Sequence, residues 1–348
     1  MTESLVVGVD AGATSTRVAV HRLDGTRVGY AKAGPGNPSA HGVAKAVAAV
    51  EEALGEALGA LDGRRVSGSL AGVAGHVGSM VPELTRVWAA HGIPAAPRYA
   101  GDVTIAYAAG SAEPDGSLLL SGTGAVAARI EDYRLGPIAD GLGWLLGDAG
   151  SGFWIGRAAA QAVVAAFDRG LPVAAVDRPE AAAPAGDRPG SASPGGERPS
   201  PPAPPGGGVL VALVAGHFLG DERPATPRDV ADRIVRLAQA DHMRLAALST
   251  LVSQAAEAGD PTAARIVREA AGHLAATLRR VHAGGPVVLA GSVLASDGPV
   301  RRAVLELLAG ETVTTTRDAA AGAAWLAARD LLSDAEAKTV HAAFTTGR

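Results

Sequence analysis

The sequence contains no cysteine, which excludes disulfides, zinc–thiolate sites, iron–sulfur clusters held by cysteine and cysteine nucleophiles. Aromatic residues make up only 3% of its 348 residues, so the core must be built from small and aliphatic side chains. The longest late apolar run, residues 209–215, is far too short to span a bilayer. No basic segment followed by an apolar one opens the chain. We therefore expect a cytoplasmic protein.

A large excess of one charge is also lacking. The sequence has 31 Lys and Arg against 35 Asp and Glu, a net charge of −4. This balance provides no electrostatic case for binding nucleic acid or an anionic membrane, and we expect neither as a partner. A length of 348 residues exceeds one comfortable hydrophobic core, which favours two domains.

A short apolar strand followed by a turn of small residues opens the chain. Residues 5–9 are apolar and mostly β-branched, Asp10 follows them, and Gly12, Ala13 and Thr14 belong to the turn. A turn without bulky side chains lets backbone N–H groups approach a phosphate, and a carboxylate at the strand end could hold magnesium. The same residues also suit an ordinary β-hairpin, and this stretch alone does not separate the two interpretations.

The order of elements predicts a duplicated α/β fold. Up to residue 112 the pattern is βββαβαβα, the order of an RNase H-like domain, and a second strand–turn–strand series begins at residue 117. We predict two such domains with a cleft between them. The predicted ranges are 1–113 for the first domain, 114–332 for the second, and 333–348 for a tail that could pack back on the first.

An insertion interrupts the second predicted domain at residues 168–208. The segment is rich in Pro, Gly, Ala and Ser and lacks the apolar content that would offset its ordering entropy, so we predict disorder. A polyproline segment that binds a partner is the alternative, but an inserted surface loop is favoured.

Two further strand-then-glycine turns follow the first, at residues 118–124 (LLLSGTG) and 287–294 (VVLAGSVL). Their order and spacing resemble the sugar kinase/Hsp70/actin superfamily, whose two RNase H-like domains hold ATP in the cleft between them. LLLSGTG followed by residues 140–156 (DGLGWLLGDAGSGFWIG) resembles the BadF/BadG/BcrA/BcrD-type ATPase family, and within it the N-acetylglucosamine kinases. The resemblance covers nearly the whole chain except the insertion.

The resemblance implies that ATP and Mg²⁺ are the cofactors. Gly12 and Thr14 would hold the β- and γ-phosphates, and Asp10 would organise Mg²⁺ through water. Gly291 and Ser292 would lie against the adenine ring, where a side chain on the glycine would block it. The full set of residues implied to contact ATP is Gly12, Ala13, Thr14, Thr123, Gly124, Gly291 and Ser292.

Asp102 is the implied catalytic residue. It matches the family's general base, which accepts the proton of a sugar hydroxyl as that hydroxyl attacks the γ-phosphate. An aspartate directly before a predicted helix at 103–112 is also a preferred N-cap, and the residue types alone would favour that role. The resemblance favours the general base.

The resemblance also implies a sugar site. Asn37 would read ring hydroxyls, although an asparagine between glycine and proline is also a common turn residue. Trp144 would pack on a sugar face or fill the core, and Asp148 would contact the sugar or the network that orders it. The implied substrate-binding residues are Asn37, Gly72, Asp102, Gly143, Trp144 and Asp148.

The expected reaction is transfer of the γ-phosphoryl group to the 6-hydroxyl of N-acetylglucosamine. Ala125, Val126 and Ala149 depart from the family pattern near the sugar's substituents, so glucosamine and N-acetylmuramic acid remain alternative substrates. The family's other branch, activators of radical dehydratases, needs cysteines and is excluded. A non-catalytic sugar sensor is the alternative of another class, but we expect no helix-turn-helix before the strand at Leu5. A homodimer is one option for assembly.

Overall fold

The computed structural model describes residues 4–75, 77–176, 208–316 and 318–346. It contains two mixed five-stranded sheets, one in each half of the chain. The strands of the first sheet are β1 (Leu5–Ala11), β2 (Thr16–Arg22), β3 (Arg27–Ala33), β4 (Val66–Val73) and β5 (Arg98–Gly101). The strands of the second are β6 (Gly116–Ser121), β7 (Ala125–Glu131), β8 (Arg134–Asp140), β9 (Val287–Ala290) and β10 (Val313–Thr315).

Helices cover the sheets and connect their strands. Those that precede β6 are α1 (Pro38–His41), α2 (Val43–Leu58), α3 (Val81–Ala90) and α4 (Asp102–Gly110). Those between β8 and β9 are α5 (Gly143–Leu146), α6 (Gly152–Asp168), α7 (Val209–Leu219), α8 (Pro227–Ala240), α9 (Met243–Glu257) and α10 (Pro261–Arg279). The remaining helices are α11 (Ser292–Ala295), α12 (Pro299–Leu307), α13 (Ala319–Arg329) and α14 (Asp334–Thr346). Across the described ranges, no helix has both the length and the apolar character needed to cross a membrane.

The two sheets share one topology, which confirms the predicted duplication and the α/β fold class. The strand order is β3-β2-β1-β4-β5 in the first sheet and β8-β7-β6-β9-β10 in the second. In each sheet the first strand is antiparallel to the second and parallel to the fourth. The carboxyl ends of β1, β4 and β5 therefore meet at one edge of the first sheet, and those of β6, β9 and β10 meet at the corresponding edge of the second.

Helix α13 does not follow the predicted division of the chain. Residues 319–332 were expected in the second domain, but α13 packs on β1 and α4 of the first. Gly8 permits this approach, because a Cβ there would lie 2.1 Å from the carbonyl oxygen of Ala320. The expected tail contains α14, whose buried Phe344 stacks on His21 of β2 with 4.8 Å between ring centroids.

Two other predicted boundaries need correction. Apolar residues at helical spacing predict one helix over residues 41–61, but the structure has two helices here, because Gly42 has a φ of +82° and separates α1 from α2. The predicted disordered insertion begins too early, because Asp168 is the last residue of α6 and Val176 is buried in a 3₁₀ turn over Val173–Val176. Its main part, residues 177–207, lies outside the described residues.

Candidate active site

The predicted phosphate loop, residues 11–16, connects β1 and β2 at the carboxyl edge of the first sheet. Ala13 and Thr14 are exposed at its tip, and the N–H of Gly12 donates to the carbonyl of Ser15 at 3.0 Å. Asp10 is next to last in β1, and its register neighbours are Arg17 on β2 and Gly72 on β4. A short exposed turn next to a carboxylate suits a phosphate and its metal ion.

Asp10 is a mostly buried carboxylate that is held by one cation. Its side chain is 13% exposed, and Arg17 Nη1 donates to Asp10 Oδ2 at 3.1 Å. Burial raises the pKa of the Asp10 carboxyl to about 6, although Arg17 acts in the opposite direction. Smaller contributions from the charges of Asp102 and Asp318 raise this pKa further, so both carboxylates lie within electrostatic range of Asp10.

Asp10 suits a magnesium ion that takes most of its ligands from water and phosphate. Within the described parts of the chain, no group of three His, Cys, Asp or Glu side chains could hold a metal ion. Mg²⁺ is commonly bound through one or two carboxylates while water and substrate phosphates complete its shell. A single carboxylate beside an exposed turn suits that arrangement and does not suit a cage made entirely of protein ligands.

We expect Asp10→Asn to stabilise the protein above pH 6. The folded pKa of about 6 lies above the ordinary value of 3.8, so the native state loses stability as pH rises from about 4 through 6 and the buried carboxyl ionises. This shift corresponds to about 3 kcal/mol. Since the raised pKa already includes the opposing effect of Arg17, we expect a gain in the free energy of unfolding of about 1–3 kcal/mol at pH 7.5 that shrinks toward pH 4.

Urea unfolding at both pH values measures this effect. Asp24→Asn is the matched control, because hydrogen bonds from Thr26 lower the pKa of the exposed Asp24, so its replacement should destabilise the protein at pH 7.5. A gain for Asp10→Asn that is equal at pH 4 and pH 7.5 would contradict the assignment of its raised pKa.

Asp102 is the first residue of α4, at the carboxyl end of β5. The cap residue is Gly101, which makes no side-chain cap bond, so the interpretation of Asp102 as N-cap is wrong. Its Oδ1 accepts the adjacent amide of Val103 at 3.0 Å, and burial raises the pKa of the carboxyl. Val103 packs in a hydrophobic cluster with Leu120 and Ala290, which lie at the carboxyl ends of β6 and β9. Asp102 therefore lies where the two sheets approach each other.

The second and third glycine motifs are in direct contact. Gly291 has a φ of +82°, and a Cβ there would lie 2.4 Å from the carbonyl oxygen of Ser121. The family resemblance predicts that this glycine leaves space for the adenine ring. The structure shows another reason: a side chain at Gly291 would collide with the backbone of Ser121 and Gly122.

A pocket of about 270 Å³ lies beside this contact. Ser292 and Val293 line one wall, and α9 provides the other. Sequence reasoning missed the α9 wall, because the helix precedes the motif by about 35 residues and carries no motif of its own. The polar side chains from α9 that line the pocket are Ser249, Thr250, Ser253, Gln254 and Glu257.

Asp148 lies under the second glycine motif and orders the segment around it. A Cβ on Gly124 would lie 2.8 Å from Asp148 Oδ2, so the two residues pack closely together. Asp148 Oδ1 accepts the N–H of Gly143 at 3.2 Å, the amide of Ala125 also donates to this carboxylate, and burial raises its pKa. The exposed Thr123 accepts the N–H of Phe153 through its carbonyl at 3.3 Å.

Asp140 is a residue of this segment that sequence reasoning missed. Its two carboxylate oxygens accept the N–H groups of Asp148 at 2.7 Å and Ala149 at 2.9 Å. These two hydrogen bonds hold the ends of the segment 140–149 together. Asp140 and Asp148 both have positive φ values, of 64° and 55°. An aspartate at the end of a strand and directly before glycine was the available signal.

Asn37 and Gly72, which were predicted to bind the sugar, both have roles within the protein. Asn37 Oδ1 caps α1 by accepting the amides of Ser39 at 2.9 Å and Ala40 at 3.2 Å, the local role named as its alternative. Gly72 is buried, and a Cβ there would lie 2.2 Å from Ile105 Cδ1, so it makes room for α4.

Gly143 and Trp144 form the start of α5. Gly143 is exposed and has no atom within 4 Å of its Cβ position, which leaves it open to a ligand. Trp144 is 39% exposed, and its ring stacks on His242 with centroids 5.2 Å apart and lies 4.8 Å from the ring of Phe153. One side of the tryptophan is therefore occupied by protein.

The Asn37 loop, residues 34–42, lies directly against the phosphate loop. The N–H of Gly36 donates to the carbonyl of Gly12 at 2.9 Å, and His41 Nε2 lies 2.9 Å from the carbonyl oxygen of Ala13. Sequence reasoning missed His41 and Arg17 because only the tertiary arrangement shows what they contact.

Comparison with known proteins identifies relatives of this fold. The family described as the BadF/BadG/BcrA/BcrD ATPase family matches residues 7–327. No curated protein sequence matches the chain. A candidate N-acetylglucosamine kinase from Chromobacterium violaceum is 24% identical, with a TM-score of 0.60 over 93% of this chain and 98% of that one.

Two other solved structures share the fold. A candidate N-acetylglucosamine kinase from Porphyromonas gingivalis is 17% identical, with a TM-score of 0.60 over 98% of each chain. A ROK family glucokinase from Streptomyces griseus, in complex with glucose and AMPPNP, is 19% identical, with a TM-score of 0.53 over 93% of this chain and 99% of that one.

Proposed function

Because the chain belongs to the BadF/BadG/BcrA/BcrD ATPase family, we propose that it is an ATP-dependent sugar kinase whose acceptor is the 6-hydroxyl of N-acetylglucosamine. One observation carries the proposal: Asp102 lies at the carboxyl edge of the first sheet, within electrostatic range of Asp10 and beside the ends of β6 and β9. A carboxylate is thus available to an alcohol at the edge of the first sheet, near the ends of β6 and β9.

Asp102 acts as the general base. The acceptor hydroxyl forms a bond to the γ-phosphorus, the bond to the β,γ-bridging oxygen breaks, ADP leaves, and the hydroxyl proton passes to the Asp102 carboxylate. Burial raises the pKa of this group toward neutrality, which makes it a better base than an exposed aspartate. The Val103 amide donates to Oδ1, and we assign Oδ2 to the substrate hydroxyl.

The phosphates are held mainly by backbone groups. Gly12, Ala13 and Thr14 present an exposed turn on the first domain, and Thr123 and Gly124 present another on the second. Preorganised N–H groups stabilise the charge of the transferring phosphoryl group without reorganising. Asp10 would hold Mg²⁺, which would neutralise phosphate charge when bound.

The acceptor lies between Asn37 and the segment that Asp140 and Asp148 order. The capping role of Asn37 uses its side-chain oxygen, so the side-chain nitrogen is the group we assign to a sugar hydroxyl. Exposed Gly143 provides room on the opposite side. The solved N-acetylglucosamine kinase candidates of the same fold support an amino sugar as acceptor. Glucosamine and N-acetylmuramic acid are the alternative acceptors, because Ala125, Val126 and Ala149 place no polar side chain near the sugar's substituents.

A coupled assay of ADP release over a sugar panel tests the proposal. The panel contains N-acetylglucosamine, glucosamine, N-acetylmuramic acid and glucose, each with ATP and Mg²⁺, and a reaction without sugar is the control. We expect N-acetylglucosamine to produce the highest kcat/KM, and a 6-phosphate identified by NMR. Absence of stimulation by every sugar would refute the kinase assignment and would favour the non-catalytic sensor.

A further inference from the structure

The Asn37 loop and the phosphate loop form one connected unit. Besides the bond from Gly36 to Gly12, a Cβ on Gly36 would lie 2.4 Å from Thr16 Oγ1 and 2.8 Å from the Cβ of Ala11. The two loops are therefore in van der Waals contact at Gly36. His41 adds a second link about one helical turn further along the chain.

The hydrogen bond of His41 has a defined direction. A carbonyl oxygen can only accept, so Nε2 carries the proton and donates to Ala13. Ala13 is at the exposed tip of the phosphate loop, where no other element restrains its carbonyl in the described residues. The imidazole thus fixes the peptide group between Ala13 and Thr14, which includes the Thr14 N–H.

Helix α1 connects the contact of Gly36 with Gly12 to the contact of His41 with Ala13, and it is restrained at both ends. At its start the Asn37 side chain caps two amides and Pro38 occupies the first helical position; at its end Gly42 N–H donates to Pro38 O at 3.0 Å. A turn closed at both ends moves as one piece. A displacement of Asn37 is therefore transmitted to His41 and through it to Ala13.

We propose that His41 is a positioning residue that couples occupancy of the sugar site at Asn37 to the conformation of the phosphate loop. This inference rests on the proposed function, since it assigns the sugar to Asn37 and the phosphates to the loop. A sugar that holds Asn37 also holds α1, and α1 holds the Thr14 N–H toward the phosphates. By thermodynamic reciprocity the nucleotide raises sugar affinity by the same factor.

Calorimetric titration of Mg²⁺·AMPPNP with and without saturating N-acetylglucosamine measures this factor. We expect the sugar to tighten nucleotide binding in the native protein and His41→Ala to reduce that enhancement by about 2- to 10-fold, the range for one hydrogen bond. His41→Gln should restore it, because the glutamine amide can donate to the same carbonyl. His273→Ala, an exposed histidine on α10 in the other domain, is the matched control and should behave as the native protein.

The full enhancement in His41→Ala, or its loss in His41→Gln at an unchanged Tm, would overturn the proposal. A native protein that binds no sugar would instead refute the proposed function, and the role of His41 with it. Hydrogen exchange provides a second measurement that does not depend on nucleotide. N-acetylglucosamine alone should slow exchange of the amides at residues 12–16 in the native protein but not in His41→Ala, and equal protection in both would also overturn it.

Discussion

Asp102→Asn is expected to lower kcat by about 10²- to 10⁴-fold, the range associated with loss of a general base. The asparagine amide can occupy the same space and can still contact the Val103 N–H, but it cannot accept the hydroxyl proton. Affinity for AMPPNP should change little, because the phosphates are assigned to the backbone of two turns. Single-turnover phosphoryl transfer, measured beside calorimetric binding, separates the two effects.

The pH profile offers an independent test of the same residue. Because burial raises the pKa of Asp102, kcat/KM in the native protein should fall with decreasing pH below that raised value, and the residual activity of Asp102→Asn should lack this dependence. Asp334→Asn is the control, since Asp334 is also an aspartate in the first turn of a helix but is 90% exposed. Turnover of Asp102→Asn within a few-fold of the native rate would show that Asp102 is not the base.

Gly322→Ala is expected to lower the free energy of unfolding by about 3 kcal/mol, at the upper end of the usual range for overpacking. A Cβ at this position of α13 would lie 2.3 Å from the carbonyl oxygen of Ile105 and 2.6 Å from the N–H nitrogen of Ala109. Both are backbone atoms of α4, so no side-chain rotation can relieve the contact. The two helices must separate, and α4 carries Asp102 at its start.

The same substitution at Gly272 is the matched control. Gly272 is an exposed glycine in α10 with no atom within 4 Å of its Cβ position. There the change should raise the free energy of unfolding by about 0.5–1 kcal/mol through helix propensity alone. Denaturant unfolding of the two variants should therefore show effects of opposite sign. A stabilising Gly322→Ala would contradict the close crossing of α13 and α4. In a temperature series, the kcat of this variant should decline at temperatures below its Tm.

The fold could be predicted to a large extent because its signals are local. Alternation and apolar runs identify the strands, and Asp24-Gly25 is typical of the hairpin between β2 and β3, where the Asp24 carboxylate accepts the Thr26 N–H. The order of these elements then limits the topology to a duplicated RNase H-like arrangement. The placement of α13 could not be predicted in this way, because a contact between Gly8 and Ala320 joins residues more than 300 positions apart.

The candidate site could also be predicted only in part. Motifs identified its glycines and Asp102, but they did not show why glycine is present at two of these positions. Gly72 makes room for Ile105 and Gly291 for Ser121, although both had been assigned to ligand contacts. A missing side chain looks the same in a sequence whether a ligand or another segment of the protein fills its space.

By itself the sequence determined the strands, the duplication, the excluded cysteine chemistry and the positions at which carboxylates follow strands. These depend on residue types and on spacings within a few positions. Only the tertiary structure decided that Arg17 neutralises Asp10, that Asp140 closes the 140–149 segment, and that His41 contacts the phosphate loop. Such pairings depend on which strands and turns become neighbours in space, and that is set by the packing of the whole chain.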